Sequence, residues 1–268
     1  MKHLGEIFCI VAVVFSIGAA YYFFYRPVYY RNVIVGAGLS GVVMAERIAN
    51  GKKEPVLIIE QRNHVGGNVY DYKDDNGITV QEYGIHAFHT DNEIVWNYLS
   101  KFTDWHNYHH QALAETTKGY VNFPVNLNTI KQLFESDFAA EFSQKLIDKF
   151  GKGKKISISD LQNDDDEILQ HGANVLYEEL FKNYTIKQWG MAPDEVDPSV
   201  ISRVPVYLTY EDAYFTDKYQ GIPAKGYTAM IKKMLDNPLI KVKLNTSWQD
   251  ISKHISYDKL FFSGSIDA

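Results

Sequence analysis

The sequence has little cysteine and no excess of positive charge. Among its 268 residues Cys9 is the one cysteine, which excludes an internal disulfide and a cysteine-rich metal site. A formal net charge of −6 argues against a general nucleic-acid binder, so we expect no nucleic-acid partner. We expect no bound metal ion either, because His106, His109 and His110 have no carboxylates at a supporting spacing. Internal repeats and low-complexity segments are lacking as well. What the chain does have is 19 tyrosines and 15 phenylalanines, which exclude intrinsic disorder.

One long uncharged run stands near the N-terminus, from Ile7 to Tyr25. A helix of this length spans about 28 Å, close to the ~30 Å hydrocarbon core of a bilayer. Its aromatic end, followed by Arg26, resembles the belt at a membrane interface. The run predicts an N-terminal transmembrane helix in a single-pass, membrane-anchored protein, and the positive-inside rule favours a cytoplasmic globular part. A cleaved signal peptide and a buried extension are the alternatives.

A strand, a glycine turn and a helix begin the globular part. Residues 32–35 form a short apolar run that ends at Gly36, as is typical of a buried parallel strand. Residues 39–50 predict a helix, and residues 55–60 predict a second strand. This order within about 30 residues indicates a βαβ unit, so we expect an α/β fold built on a Rossmann-like doubly wound sheet.

The turn after the first predicted strand carries a G-x-G-x-x-G motif. Gly36 permits a tight turn, Gly38 lets a pyrophosphate approach the backbone, and Gly41 allows close packing of helix on strand. The helix N-terminus adds amide donors and the positive end of its dipole. Glu60 closes the second strand nineteen residues after Gly41, where its carboxylate can accept bonds from ribose hydroxyls. Together these residues predict a dinucleotide site.

The segment after the second strand indicates which dinucleotide binds. It reads Glu60-Gln61-Arg62-Asn63-His64-Val65-Gly66-Gly67-Asn68. This E-x-R-x-x-x-G-G-x run resembles the extension found in FAD proteins of the glutathione-reductase and amine-oxidase superfamily. Gly66 and Gly67 would let a loop lie against the cofactor, and Arg62 would neutralise phosphate. The resemblance favours FAD over NAD.

The rest of the chain predicts a helical insertion followed by a mixed or antiparallel sheet. An apolar stripe predicts a helix over residues 128–150, and residues 167–184 indicate another. Residues 204–215 read as a strand, 228–235 as a short helix, and 257–263 as a strand that returns to the first sheet. The expected domains are an anchor and linker (1–31), the first part of the FAD-binding domain (32–120), a helical substrate domain (121–200), a substrate-side sheet with a mobile loop (201–256) and the return strand (257–268).

Four later motifs carry a family resemblance. They are residues 83–90 (YGIHAFHT), 184–190 (YTIKQWG), 214–223 (YFTDKYQGIP) and 226–228 (GYT). In this order they resemble bacterial UDP-galactopyranose mutases, over about residues 32–267. The resemblance implies an isomerase that interconverts UDP-galactopyranose and UDP-galactofuranose through a covalent adduct between reduced FAD and the sugar. UDP-galactose would then be the substrate, and reduced FAD the active cofactor.

The resemblance also implies roles for individual residues. His86 would lie at the reactive edge of the flavin, Arg203 would close on the diphosphate, and Tyr214 would stack on uracil. The other expected substrate contacts are Phe181, Tyr184, Thr185, Trp189 and His110. The expected cofactor contacts are Gly36, Gly38, Ser40, Gly41, Glu60, Gln61, Arg62, Gly66, Gly67, Asn68, His86 and Ala87. On the residues alone, His86 could equally be a buried histidine, and the segment 181–189 the buried face of a helix.

The sequence departs from this family in two places. Near His110 the family commonly has an asparagine, and the family's C-terminal third, with further diphosphate-binding arginines, has no counterpart here. One alternative is therefore a catalytically incomplete remnant that binds FAD or a nucleotide; another is a flavin amine oxidase or desaturase, against which the segments 184–190 and 214–223 argue. A homo-oligomer or a companion chain that supplies the missing part is the expected protein partner.

Overall fold

The structure is a computed structural model, and it describes residues 27–192, 195–197 and 204–265. The chain divides into two compact units. The first unit comprises Met1–Asn107 and Tyr219–Ala268, and the second unit is Tyr108–Lys218. The second unit is therefore an insertion, in sequence, within the first.

Strands and short helices alternate along the chain. The strands are β1 (Val28–Val35), β2 (Val56–Ile59), β3 (Asp71–Lys73), β4 (Thr79–Gln81), β5 (Phe88–Thr90), β6 (Trp105–His106), β7 (Ala112–Thr116), β8 (Gly119–Phe123), β9 (Lys155–Ile156), β10 (Val206–Tyr207), β11 (Tyr219–Pro223), β12 (Ile240–Lys243) and β13 (Ile255–Phe262). The helices are α1 (Leu39–Arg47), α2 (Glu93–Leu99), α3 (Leu127–Leu133), α4 (Ser136–Phe150), α5 (Ile158–Gln162), α6 (Glu167–Leu176), α7 (Lys182–Trp189), α8 (Tyr227–Leu235) and α9 (Trp248–Ile251).

A four-stranded parallel sheet is the centre of the first unit. Its order is β12-β2-β1-β13, and every neighbouring pair is parallel. Successive residues of β1 face opposite sides of the sheet: Ile34 packs in a cluster with Ala45 of α1, and Val33 packs in one with Ile251 of α9. This arrangement confirms the predicted α/β fold, including the return of the last strand to the first sheet.

Helices α1 and α8 cover one side of this sheet. Val42 of α1 packs with Met230, Ile231 and Met234 of α8, all of them buried. Helix α1 continues as a single π-helical stretch over Ile48–Lys52. The helix predicted over 39–50 therefore forms, but its last turn is widened.

An antiparallel sheet and a hairpin complete the first unit. The antiparallel sheet has the order β5-β11-β6, and β3 pairs with β4. Asp71, which begins β3, is 5% exposed and binds the start of α8. Its carboxylate accepts hydrogen bonds from the backbone N–H groups of Tyr227 at 2.6 Å and Thr228 at 2.9 Å. The carboxylate thus caps a helix that lies far away in sequence.

The second unit is helical, with its core between α3, α4 and α6. The predicted helix over 128–150 is divided into α3 and α4, because Phe134 adopts extended backbone with φ −106° and ψ 158°. Gly172 of α6 lets α4 approach, since a Cβ there would lie 2.5 Å from the Phe142 ring. The apolar stripe was the correct signal for burial, but apolar spacing alone did not reveal the break.

Two predictions in the second unit need correction. A strand was expected over 204–215, but only β10 (Val206–Tyr207) forms there, and it pairs with β9 (Lys155–Ile156), which was not predicted. The hairpin of β7 and β8 was not predicted. In both places the strands are short, and their sequences carry no apolar run long enough to be recognised.

The membrane prediction also needs correction. Within the described residues, no helix is both long enough and apolar enough to cross a membrane. The segment from Ile7 to Tyr25, on which that prediction was based, lies outside the described residues. We therefore withdraw the N-terminal transmembrane helix from the fold, and with it the single-pass membrane location.

We expect Asp71→Ala to lower the free energy of unfolding by about 2 kcal/mol, because it removes a cap and leaves buried N–H groups without acceptors. Urea denaturation followed by circular dichroism measures the change. Asp75→Ala, at an exposed position in the turn after β3, is the matched control and should have little effect. Equal stability of the two variants would contradict the capping role.

Candidate functional site

A cleft of about 510 Å³ opens at the carboxyl ends of β1, β2 and β12, within the first unit. Ligands of open α/β sheets bind in this position. The residues that line it are Val35, Gly36, Gly38, Leu39, Ile59, Glu60, Gln61, Arg62, Gly66, Gly67, Asn68, Val69, Thr246, Trp248, Gln249, Phe262, Ser263, Gly264 and Ser265. The structure thus brings together most of the residues predicted to contact a cofactor.

Two glycines of the G-x-G-x-x-G motif are required by the packing of the chain itself. A Cβ on Gly41 would lie 2.0 Å from the carbonyl oxygen of Gly36, which is far inside contact distance. Gly36 has φ +102°, and a Cβ there would lie 2.7 Å from Oγ of Ser263. A side chain on Gly41 would force α1 away from the end of β1, and one on Gly36 would displace Ser263.

Gly38 is different, because the protein leaves room for a side chain there. A Cβ on Gly38 would have its nearest neighbour at 3.9 Å, the Cα of Gly67, and its φ of −71° is ordinary for any residue. Gly38 lines the cleft and is the N-cap of α1. Its missing side chain therefore leaves free space directly before a helix N-terminus, where phosphate groups bind.

Glu60 ties together the two loops beside this space. The residue is 6% exposed, and its carboxylate accepts hydrogen bonds from the N–H groups of Ala37 and Arg62, both at 2.8 Å. Each oxygen of a carboxylate can accept a further bond. Glu60 can therefore hold the two loops and still accept a hydrogen bond from a hydroxyl group of a ligand in the cleft.

Arg62 brings positive charge to the same wall. One terminal nitrogen, Nη2, donates to Oδ1 of Asn68 at 3.1 Å, and the guanidinium lies 4.5 Å from the centre of the Tyr83 ring. The other, Nη1, is buried and has no hydrogen-bond partner among the described residues. A buried donor without an acceptor is costly, so an anionic ligand oxygen would stabilise this arrangement.

The sequence reasoning missed the far wall of the cleft. Thr246, Trp248 and Gln249 line it from the loop after β12 and the first turn of α9. The available signal was weak, because β12 has alternating lysines and one half-buried residue, Ile240, instead of an apolar run. The sequence alone does not show that this loop follows a strand of the parallel sheet, because that is apparent only from the pairing of β12 with β2.

Four predicted cofactor residues do not line the cleft. Gly41 is buried beneath it, and Ser40 lies on an outer surface of α1. His86 and Ala87 precede β5, where Oε1 of Gln81 accepts a short hydrogen bond from the His86 N–H. Nδ1 of His86 lies 2.9 Å from the carbonyl oxygen of Gly84. His86 is thus held by its own loop, and a flavin contact there stays a prediction.

In the second unit, the predicted substrate residues of the 181–189 segment differ in exposure. Phe181 is 2% exposed and belongs to the helical core, and Thr185 is 5% exposed and donates to the Phe181 carbonyl at 2.8 Å. Tyr184 is half-buried against Phe123, with ring centres 5.3 Å apart. Trp189, at the end of α7, is 50% exposed. Trp189 and part of Tyr184 are therefore accessible at the surface, whereas Phe181 and Thr185 are buried.

A second group of aromatic residues surrounds His110. Its ring centre lies 5.3 Å from that of Tyr214, and the Tyr214 N–H donates to the His110 carbonyl at 2.8 Å. Tyr108 Oη lies 3.0 Å from Nδ1 of His110. Burial raises the pKa of the Tyr214 phenol above its ordinary value, so the ring stays uncharged into the alkaline range. Arg203, the other predicted contact, lies outside the described residues.

Comparison with known proteins finds sugar-nucleotide mutases that are similar to this chain. The chain is 39% identical over 240 residues to a probable UDP-galactopyranose mutase of Klebsiella pneumoniae, covering 89% of this chain and 61% of the relative. It is 38% identical over 243 residues to the dTDP-fucopyranose mutase of Escherichia coli, covering 88% and 63%. The chain is a homologue of the UDP-galactopyranose mutases. It spans about three fifths of the length of these relatives.

Two family models match parts of the chain, and a solved structure is similar to it in fold. A model described as UDP-galactopyranose mutase matches residues 179–268, and one described as an NAD(P)-binding Rossmann-like domain matches residues 34–102. A crystal structure of a reduced UDP-galactopyranose mutase superposes with a TM-score of 0.52 at 15% identity, covering 80% of this chain and 48% of that one. This superposition supports the fold, and the Rossmann-like match contains the glycine-rich wall of the cleft.

The mutase homologue should respond differently to alanine at two glycines of its motif. We expect Gly41→Ala to lower the free energy of unfolding by about 3 kcal/mol or more, because the new Cβ overlaps the Gly36 carbonyl. Gly38→Ala should change it by less than about 1 kcal/mol, because the atom nearest to the new Cβ, the Cα of Gly67, would lie at an ordinary contact distance of 3.9 Å. Thermal and urea unfolding of both variants measure the difference, and a Gly38 variant as unstable as the Gly41 variant would contradict it.

Proposed function

We propose that this chain binds FAD in the cleft and forms the flavin-binding and sugar-nucleotide-binding part of a UDP-galactopyranose mutase. The observation that carries the proposal is the 39% identity over 240 residues to the probable mutase of Klebsiella pneumoniae. That relatedness covers both units, and it therefore supports a role for the cleft and for the aromatic surface of the second unit in one enzyme.

The chemistry of the cleft fits FAD. The space at Gly38, before the N-terminus of α1, suits the pyrophosphate. Nη1 of Arg62, which has no hydrogen-bond partner among the described residues, suits an anionic oxygen. Glu60 can accept a ribose hydroxyl. The backbone beside these groups carries no side chain at Gly36, Gly66 or Gly67. The residues present thus supply a donor, an acceptor and free volume in the arrangement that a dinucleotide needs.

The reduced flavin, when bound, would supply the nucleophilic chemistry at the anomeric carbon of the sugar. The protein would orient the substrate around it. Trp189 and Tyr184 would contact the sugar, Tyr214 would stack on the base, and Arg203 would bind the diphosphate through two parallel hydrogen bonds. His86 would lie beside the flavin. These roles come to the chain from its family resemblance.

A different sugar nucleotide is a second candidate for the same site. The dTDP-fucopyranose mutase of Escherichia coli is 38% identical to the chain, close to the value for the probable UDP-galactopyranose mutase. Uracil and thymine differ by one methyl group, so stacking on Tyr214 would accept either. The substrate assay should therefore offer both nucleotides.

We propose that the chain assembles with a second copy of itself or with a companion chain, and nothing in its similarity to these relatives decides between them. Analytical ultracentrifugation with and without FAD would show whether the chain assembles with itself.

The direct test of the function is an isomerisation assay. The 268-residue chain, loaded with FAD and reduced with dithionite, is given UDP-galactofuranose, and chromatography follows its conversion to UDP-galactopyranose. Conversion supports the proposal. A folded, FAD-loaded chain that converts neither UDP- nor dTDP-linked furanoses, while a polypeptide extended to the length of its relatives does, would show that this chain is not an enzyme on its own.

We expect Trp189→Ala to weaken the binding of UDP-galactose to the FAD-loaded chain by about fivefold, because an exposed aromatic contact is lost. Isothermal titration calorimetry measures the affinity. Tyr120→Ala, at a 69% exposed aromatic position on β8, is the matched control and should bind normally. Loss of the flavin absorbance in the Trp189 variant would instead indicate a structural role.

A further inference from the structure

A groove of about 850 Å³ lies between α1 and α2 on the surface of the first unit. Leu39 and Val43 line it from α1, and Ile94, Val95 and Tyr98 line it from α2. These five side chains are apolar or aromatic, and those of Ile94 and Val95 are 81% and 39% exposed. An exposed apolar surface of this kind marks a place where another molecule packs.

The groove is preformed, because α1 and α2 are tied to each other. Oη of Tyr98 donates a hydrogen bond to Oε2 of Glu46 at 2.6 Å, and Glu46 is 5% exposed. The other oxygen of this carboxylate accepts a hydrogen bond at 2.8 Å from Nδ2 of Asn50, which lies in the π-helical stretch after α1. A partner would therefore bind this surface without the cost of first ordering the two helices.

The two ends of the groove carry charges of opposite sign. Arg47 ends α1 with its guanidinium carbon 5.8 Å from the centre of the Tyr98 ring, and Lys101 follows α2, so both cations lie at one end. Glu93 begins α2, at the other end of this seven-residue helix, which is about 10 Å long. Within the described residues, none of these three charged groups forms an ion pair, so they remain available to a partner.

A second copy of the chain matches this surface in shape and in charge. A two-fold interface brings the same surface of both copies together, so that residue i contacts residue j and residue j contacts residue i. When two α2 helices lie antiparallel across the axis, Glu93 of each copy faces Lys101 of the other. The protruding Ile94 of each copy then packs into the groove of the other, which buries the apolar surface and leaves the ion pairs at the rim.

We infer that the surface formed by α1 and α2 joins two copies of this chain into a dimer. Ile94 is its apolar anchor, and the pairing of Glu93 with Lys101 sets the antiparallel orientation. The inference rests on one part of the proposed function, the assembly of the chain with another polypeptide, and it selects a second copy as that polypeptide. It is independent of FAD binding, because Glu93, Ile94 and Lys101 do not line the cleft.

The first test removes the apolar anchor from the purified 268-residue chain. We expect sedimentation equilibrium to show a dimer for the wild type between about 1 and 100 μM, and monomers for Ile94→Asp, because the dimer would bury an unpaired charge. An aspartate in the first turn suits the dipole of α2, so the variant should remain folded. Ile78→Asp, at a 61% exposed position between β3 and β4, is the matched control and should stay dimeric.

The second test reverses charges to identify the partner as a second copy. We expect Glu93→Lys and Lys101→Glu each to raise the dissociation constant of the dimer by at least about tenfold, because each places like charges opposite one another. An equimolar mixture of the two variants should dimerise again, since every pair across the interface then has opposite signs. Lys152→Glu, at an exposed position in the second unit, is the control and should behave as the wild type does.

Three results would overturn the inference. One is a wild-type chain that stays monomeric at about 100 μM. Another is a dimer that persists in Ile94→Asp, or charge variants that do not associate when mixed, because a different surface would then join the copies. The third is slower hydrogen exchange at α2 in a monomeric polypeptide extended to the length of the relatives, because another segment would then cover the groove.

The binding of FAD separates this inference from the proposed cofactor site. All of these variants should bind FAD with the affinity of the wild type, because the cleft is unchanged in them. A dimeric wild-type chain without affinity for FAD would contradict the proposed cofactor site and support the dimer.

Discussion

The first unit depends on the close approach of backbone at the carboxyl end of β1. Gly36 has φ +102°, and its carbonyl oxygen occupies the space that a side chain on Gly41 would need. Ser263, which follows β13, donates two hydrogen bonds to the Val35 carbonyl, one from its N–H and one from its Oγ, both at 2.9 Å. This packing aims the N-terminus of α1 at the cleft. A helix N-terminus held in that place by the parallel sheet is the origin of the proposed phosphate site.

The residues of the cleft divide into those that build the site and those that leave it open. Gly36 and Gly41 are demanded by the fold, whereas Gly38 is small although the fold leaves room for a larger residue. Glu60 helps to build the site, because its carboxylate oxygens accept hydrogen bonds from two backbone N–H groups. The same oxygens can accept further hydrogen bonds from a ligand. The absence of a packing reason for Gly38 is the strongest structural sign that a ligand occupies this space.

Local spacing predicted this part of the protein well, because strand, turn, helix and acid follow one another within a short stretch of chain. The far wall could not be predicted in the same way, since Trp248 reaches the cleft only when β12 pairs with β2. Periodicity likewise showed that the stripe through Phe134 is buried, but it could not show that the backbone breaks there. The apolar run from Ile7 to Tyr25, on which the membrane prediction was based, lies outside the described residues, and no helix within them is long and apolar enough to cross a membrane.

The central claim is that the cleft beside Gly38 binds FAD, and a fluorescence titration with FAD tests it most directly. The account predicts saturable binding to the wild-type chain with quenching of the free-flavin signal, and loss of binding in Gly38→Ala at unchanged thermal stability, because a methyl group would then occupy the phosphate position. Binding by the Gly38 variant with wild-type affinity, or no binding by the folded wild-type chain, would contradict it.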